Sequence, residues 1–284
     1  KESIAWEWSD PFITNRINEV LNNDTRVSLS DMVSLQTDYF SVPASELVPL
    51  LGKFTSANWI TEKARKMLLE WDFRLEPQSI EAGIYITWQS HLRNAVRDAI
   101  VPEKAKEHFS YLSMKKTLDW IQSPDGRFGE NSIAGRNELF LLSLEEAVSD
   151  LSEKFGRNPS KWTYGQMDYK HIFLEHPLSD AVNSKTREII NVGPAVRGGD
   201  SYTINNTGGW NNQSSGASFR ILVDTENWDK TLAMNNPGQS GDPESPFYKN
   251  LFNEWSTDGF FPLFYSKGKI ESVTAQRIVL KPKN

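Results

Sequence analysis

The chain contains no cysteine. A disulfide framework, a zinc–thiolate centre and a cysteine nucleophile are therefore excluded. Four histidines among 284 residues leave little material for a histidine-based metal centre or catalytic dyad. No stretch approaches eighteen consecutive apolar residues, so the sequence offers no membrane-spanning helix. A basic excess is missing too: 31 Lys and Arg stand against 37 Asp and Glu, for a net charge of −6. Nucleic acid and anionic membranes both require a basic face, and neither is expected as a partner. There is no internal repeat and no low-complexity linker. The N-terminus lacks a charged-then-apolar leader, and a chain that opens at Lys1 without Met is expected to be a processed or truncated piece.

What is present suffices for a packed core. Hydrophobic residues make up 38% and aromatics 12%, with ten Trp, too apolar for a disordered chain. Residues 1–160 read as helices. Ser28 or Ser30 can cap a segment carrying Met32, Leu35 and Tyr39, and Asp31 stands at capping-box distance from Ser28. "TEKARKMLLEW" places Ala64, Met67, Leu68 and Trp71 on one stripe behind a Thr61 cap. "EAGIYITWQSHLRNAVRDAIV" is a long apolar-rich helical run bounded by Pro102. "NELFLLSLEEAVSDLSEKFG" spaces Leu141, Leu144, Val148, Leu151 and Phe155 along one helical face, with Gly156 as its stop.

Residues 161–284 follow another grammar. "REIINV", "DSYTIN", "SFRILVD", "KTLAMN" and "GFFPLFYS" are short β-rich runs separated by Gly, Asn, Ser and Pro. "IESVTAQRIVLKP" reads as a short helix leading into a last strand. The expected fold class is α+β, with a helical portion over 1–160 and a β-rich portion over 161–284. The two are expected to pack as one unit, because a few strands without covering helices would leave a sheet face exposed.

Candidate chemistry begins with "NNPGQSGDPESPFYKN", which sets Ser240 between Gln239 and Gly241. A nucleophile elbow needs G-x-S-x-G between a strand and a helix. Here the second Gly comes one residue early, Asp242 takes its place, and the sequence ties no His to Ser240. A turn in which Ser240 hydrogen-bonds locally is favoured, with Gln239 lining or bracing a cleft. His171 and His176 are the only close His pair, and their i, i+5 spacing shares no face of a helix or strand. His176, before Pro177, reads as a hydrogen-bonded residue. "GPAVRGGDSYTINN" is glycine-rich yet matches neither a phosphate loop nor the dinucleotide fingerprint, so Gly198-Gly199-Asp200 is expected at the tight start of a strand. Trp210 in "GGWNNQSSG" can stack on a sugar, which keeps open a non-catalytic carbohydrate-binding module. These residues alone supply no complete catalytic set.

A larger pattern is carried by "WSDPFITNRINEVL", "SLSDMVSLQTDYFSVPASELVPLL", "WTYGQMDYKHIFLEHPLS", "GGDSYTINN" and "GASFRILVDTENWDKTLAMNNPGQSGDPESPFYKNLFNEWSTDGFFPLFYS". In that order, across nearly the whole chain, they resemble the penicillin acylase family of N-terminal-nucleophile hydrolases. The resemblance implies part of a four-layer αββα sandwich and a precursor that cleaves itself into an α and a β chain. It implies a β-chain N-terminal Ser as nucleophile, its own α-amine as base, and an Asn that stabilises the oxyanion. Both Ser and Asn would lie upstream of Lys1, so no catalytic residue is expected in this chain. The implied partners are the remaining α-chain and N-terminal β-chain parts and a small N-acyl substrate, such as a β-lactam or acyl-homoserine lactone. The implied location is bacterial, periplasmic or secreted.

Many members of that family carry an Arg four residues before the Ile of "RI". That count from Ile17 lands on Ile13, and Arg16 is the nearest guanidinium. The cleft candidates are then Gln239, Ser240, His176 and Arg16. A gapless count anchored at Trp8 puts Glu2 near an acid that some members use for structural calcium. No cofactor is required for the chemistry.

Overall fold

A computed structural model of the chain describes residues 9–23, 26–109 and 111–282. Among the described residues seven α-helices come first: α1 (Phe12–Asn23), α2 (Leu29–Gln36), α3 (Val42–Leu47), α4 (Trp59–Leu69), α5 (Ile80–Ile100), α6 (Met114–Gln122) and α7 (Ser132–Phe155). Strands then alternate with short helices: β1 (His171–Leu174), α8 (Ser184–Ile190), β2 (Val192–Val196), β3 (Thr207–Gly208), β4 (Ser215–Gly216), β5 (Phe219–Leu222), β6 (Leu232–Asn235), α9 (Phe252–Ser256), β7 (Phe261–Pro262) and α10 (Lys267–Val273). The class is α+β with the helices first, as the sequence predicts. The strands form two two-stranded sheets, β1–β2 and β3–β4, and one three-stranded sheet in the order β5–β6–β7.

Two compact units are drawn from interleaved segments. The first holds the described residues of Lys1–Thr25, Leu35–Phe173 and Pro194–Gly216; the second holds those of Arg26–Ser34, Leu174–Gly193 and Ala217–Asn284.

In the first unit α5 packs along α7, and α4 packs on both. The apolar stripe of α5 buries Trp88, Leu92 and Val96, and that of α7 buries Phe140, Leu144, Val148 and Leu151. Trp88 meets Phe140 edge-to-face at a centroid distance of 4.9 Å and donates its indole N–H to the Ser143 hydroxyl at 3.0 Å. The ring geometry adds about 0.5–1.5 kcal/mol beyond area burial. The hydrogen bond satisfies the one polar atom that Trp88 takes into the core. The capping box at α2 forms as expected: Asp31 N–H donates to Ser28 Oγ at 3.2 Å, and Ser28 N–H to Asp31 Oδ2 at 2.8 Å.

In the second unit β5, β6 and β7 are antiparallel, with Phe219 opposite Asn235, Leu222 opposite Leu232 and Ala233 opposite Phe261. Along β5, Arg220 and Leu222 are buried while Phe219 and Ile221 are exposed, the period-2 alternation of a strand with one covered face. Arg220 reaches Asp258 at 3.1 Å. The early segment belongs here as well: Val27, Leu29 and Met32 share a cavity of about 540 Å³ with Val223, Glu226 and Lys230.

Four sequence expectations are corrected. Asn58, not Thr61, caps α4, its side chain accepting the Ile60 N–H at 3.1 Å, while Thr61 is buried inside the helix. "REIINV" is not a strand: Arg187–Ile190 close helix α8, whose first turn is fixed by Asn183 accepting the Thr186 N–H at 2.9 Å. "DSYTIN" is a turn, because Asp200 draws the backbone onto its own side chain. After α10 no last strand forms among the described residues, and Ile278, Val279 and Leu280 are exposed.

Candidate functional site

Arg16 lies on α1, one turn beyond the buried Phe12. Its Nε donates to Asp38 Oδ2 at 2.7 Å and its Nη1 to Glu19 at 3.0 Å. Burial alone would lower the guanidinium's pKa, but the bonds to Asp38 and Glu19 outweigh it and hold the pKa above the ordinary arginine value. The ring of Phe40 supports the same guanidinium at 4.3 Å. Asp38 is buried, and its second oxygen accepts Arg74 Nη2 at 2.8 Å and the Phe40 N–H at 3.1 Å. Arg74 is brought there by pairing of two extended segments: Leu75 N–H donates to Tyr39 O and Ser41 N–H to Phe73 O, both at 2.9 Å.

The "GGDSYTINN" loop packs onto this network. Asn205 N–H donates to the Asp38 carbonyl at 3.0 Å, and the Asn205 side-chain oxygen accepts Arg197 Nη2 at 3.0 Å. Asp200 Oδ1 accepts the N–H groups of Tyr202 at 2.8 Å and Thr203 at 3.1 Å. Burial pushes the Asp200 carboxyl up to about 6, against the opposing pull of those two N–H groups and of Lys170 and Arg93. The Gly199 carbonyl accepts the Tyr164 hydroxyl at 2.5 Å and Gln213 Nε2 at 3.0 Å. Gly199 has φ +78°, and a Cβ there would come within 2.4 Å of the Asn205 carbonyl oxygen, so no larger residue fits. The Gly-Gly-Asp run thus follows strand β2 and leads into a turn. It does not start a strand, because its glycines serve close backbone approach.

The second unit holds His176, Gln239 and Ser240. Gly238 and Ser240 form a loop folded against Phe247: the N–H groups of Gln239 and Ser240 reach the Phe247 carbonyl at 2.9 and 3.2 Å. A Cβ on Gly238 would sit 2.2 Å from that carbonyl oxygen. Ser240 Oγ accepts the Asp242 N–H at 3.1 Å, a turn within the loop. The Gln239 side chain is exposed. His176 closes a different turn: its Nδ1 accepts the Leu178 N–H at 3.1 Å, and its own N–H donates to Asn191 Oδ1 at 2.8 Å. No hydrogen bond joins His176 to Ser240 among the described residues, so neither activates the other as base and nucleophile.

Trp210 is 88% exposed, and no other aromatic ring stacks on it among the described residues. Glu2 lies outside the described residues. Calcium takes six to eight oxygens, and the described residues hold no group of three or more His, Cys, Asp or Glu placed to bind a metal.

Neither Asp38 nor Asp200 is among the cleft candidates expected from the sequence, where Asp200 figures only in the Gly198-Gly199-Asp200 strand entry. The readable signal was an acid inside an otherwise apolar or turn-forming stretch: Asp38 beside Tyr39 and Phe40, Asp200 three residues before Thr203.

The fold and these interlocked segments coincide with a known family. A sequence model of the family Penicillin amidase matches residues 1–272, and the chain belongs to that family. Among its relatives, Penicillin acylase 2 proenzyme of Pseudomonas sp. (strain SE83) is 25% identical over 281 residues, covering 95% of this chain and 35% of that protein. Acyl-homoserine lactone acylase QuiP of Pseudomonas fluorescens (strain Pf0-1) is 25% identical over 283 residues, covering 89% of this chain and 33% of that protein. The thermostable penicillin G acylase from Alcaligenes faecalis matches in structure with a TM-score of 0.58 at 17% identity, over 100% of this chain and 55% of that one. What is shared with that enzyme at such identity is the fold. The chain spans about a third of the length of the curated relatives it matches.

Proposed function

We propose that this chain is one part of an acylase that hydrolyses the amide bond of a small N-acyl compound, a β-lactam or an acyl-homoserine lactone. The observation that carries the reading is the family match over residues 1–272 in a chain one-third the length of its acylase relatives. The nucleophile is a serine outside this chain. Its hydroxyl attacks the amide carbonyl, its proton passes to the serine's own α-amine, the substrate's amine leaves, and water releases the acid. The Arg16–Asp38–Arg74 network and the Asp200 loop brace the walls of that site. The partners are the rest of an autoproteolytic precursor, for which the exposed Phe219 and Ile221 face of β5 is a suitable seat. The proposed location is the bacterial periplasm or exterior.

The test is to express the complete reading frame and the 284-residue chain side by side with a chromogenic N-acyl amide. The complete protein is expected to self-cleave and hydrolyse the amide, with activity lost when the new N-terminal residue is replaced. The 284-residue chain alone is expected to be inactive. Hydrolysis by the short chain that vanishes on Ser240→Ala would sink the proposal.

The exposure of Trp210 supports a second reading, a carbohydrate-binding module. Glycan binding that disappears on Trp210→Ala would favour it, and an array with no signal would end it.

A further inference from the structure

Two cavities of the second unit share a wall. The first, of about 540 Å³, offers the apolar side chains of Val27, Leu29, Met32 and Val223. The second, of about 350 Å³, is lined by Asn227, Trp228, Asp229 and Tyr265. Thr225 and Glu226 border both. An apolar chamber therefore opens beside an aromatic and acidic one.

The aromatic chamber is built by turns. Asp224 Oδ1 accepts the N–H groups of Glu226 at 2.9 Å and Asn227 at 3.0 Å. The Asn227 side-chain oxygen accepts the Asp229 N–H at 3.1 Å. Asp229 Oδ1 in turn accepts the N–H groups of Tyr265 at 2.9 Å and Ser266 at 2.8 Å. That last pair brings Tyr265 to Trp228, with ring centres 4.7 Å apart and planes inclined at 64°. The backbone on both sides is fixed by these bonds, so the ring corner exists before any ligand arrives.

Trp228 and Tyr265 are 50% and 66% exposed, which leaves ring surface open to a ligand. A flat sugar ring cannot stack on two faces inclined at 64°, so this corner does not offer what a single exposed ring such as Trp210 offers. One compact cation can lie within about 6 Å of both ring centres, the range of a cation–π attraction. The Glu226 carboxylate is exposed at the same chamber and takes part in no hydrogen bond or ion pair among the described residues. Nearby lysines are directed elsewhere: Lys230 Nζ reaches Asp224 at 3.8 Å, and Lys269 lies 5.7 Å from the centre of the Phe264 ring.

We propose that the two cavities form one site for a small amphiphilic cation, an alkylammonium with its head in the Trp228–Tyr265 corner beside Glu226. Its tail lies on Val27, Leu29, Met32 and Val223. A quaternary head suits the corner best, because it needs no hydrogen-bond acceptor and Asp229 Oδ1 is already taken.

The test uses the protein produced from the complete reading frame, titrated by calorimetry with hexyltrimethylammonium, tetramethylammonium and hexan-1-ol. The first carries head and tail, and the others carry one each. Hexyltrimethylammonium is expected to bind with one-to-one stoichiometry, about tenfold or more tighter than either half. Trp228→Leu should weaken it about fivefold or more. Glu226→Gln changes an exposed, unpaired carboxylate, so folding is retained, and it should weaken the same cation about threefold at low salt and less at high salt. Met32→Ala should weaken hexyltrimethylammonium and leave tetramethylammonium unchanged. Hexan-1-ol binding as tightly as the hexyl cation, or unchanged affinity in both Trp228→Leu and Glu226→Gln, would overturn the proposal. So would binding of many cations per chain, as in detergent adsorption. No binding by the complete protein, as when a basic side chain of its own polypeptide fills the corner, would overturn it too.

Discussion

Asp38 is held between two arginines: its Oδ2 takes Arg16 Nε at 2.7 Å and its Oδ1 takes Arg74 Nη2 at 2.8 Å. The acid is buried, so each cation offsets a desolvation cost that neither would offset alone. Asp38→Asn would leave two guanidinium groups facing a neutral amide. Because Arg74 is 35% exposed on its side chain, the expected loss is toward the low end for buried pairs, about 2–3 kcal/mol. Urea unfolding of the variant and wild type measures it. A loss below about 1 kcal/mol would show that solvent screens the network.

Asp200 predicts a pH dependence. Its pKa rises from an ordinary 3.8 to about 6 in the folded chain, chiefly through burial. The folded chain therefore binds more protons than the unfolded chain between about pH 4 and pH 6, and this group's contribution to stability falls as pH rises through that window. Asp200→Asn keeps an oxygen for the Tyr202 and Thr203 N–H groups and removes the charge. The variant is expected to be the more stable at pH 7, by on the order of 2–3 kcal/mol, with the advantage fading below pH 4. Thermal unfolding at a series of pH values checks this; an advantage independent of pH would contradict it.

Helix α8 depends on its cap. Asn183→Ala removes the acceptor for the Thr186 N–H and should lower stability by about 1 kcal/mol, whereas Asn183→Asp should be near neutral. Chemical denaturation of both variants is the measurement. If the two lose stability equally, the side chain is not capping the helix.

Where periodicity was long, the sequence was readable. Leu144, Val148 and Leu151 of α7 are buried as their spacing requires, and Ser28 with Asp31 forms the expected box. Short β-branched runs misled. Ile189 and Ile190 suit a strand, but a cap six to seven residues earlier and the neighbouring packing decided for a helix. "DSYTIN" has strand-forming residues and an Asp that outcompetes the ladder for backbone N–H groups. In the candidate site, Ser240 is bonded within its turn, as the misplaced second Gly and Asp242 predict. The Asp38–Arg74 contact left no mark in the sequence, because it depends on two extended segments pairing across 36 positions.

The interleaving of the two units has a consequence for synthesis. Arg26–Ser34 belongs with Ala217–Asn284, and the intervening stretch all has to be translated before the later partner exists. At roughly 5–20 residues per second, Leu29 and Met32 wait on the order of ten to forty seconds for Val223 and its neighbours. During that interval the first unit can gather its helices while the second stays incomplete. The ribosome thus sets an order of assembly that refolding from denaturant does not impose.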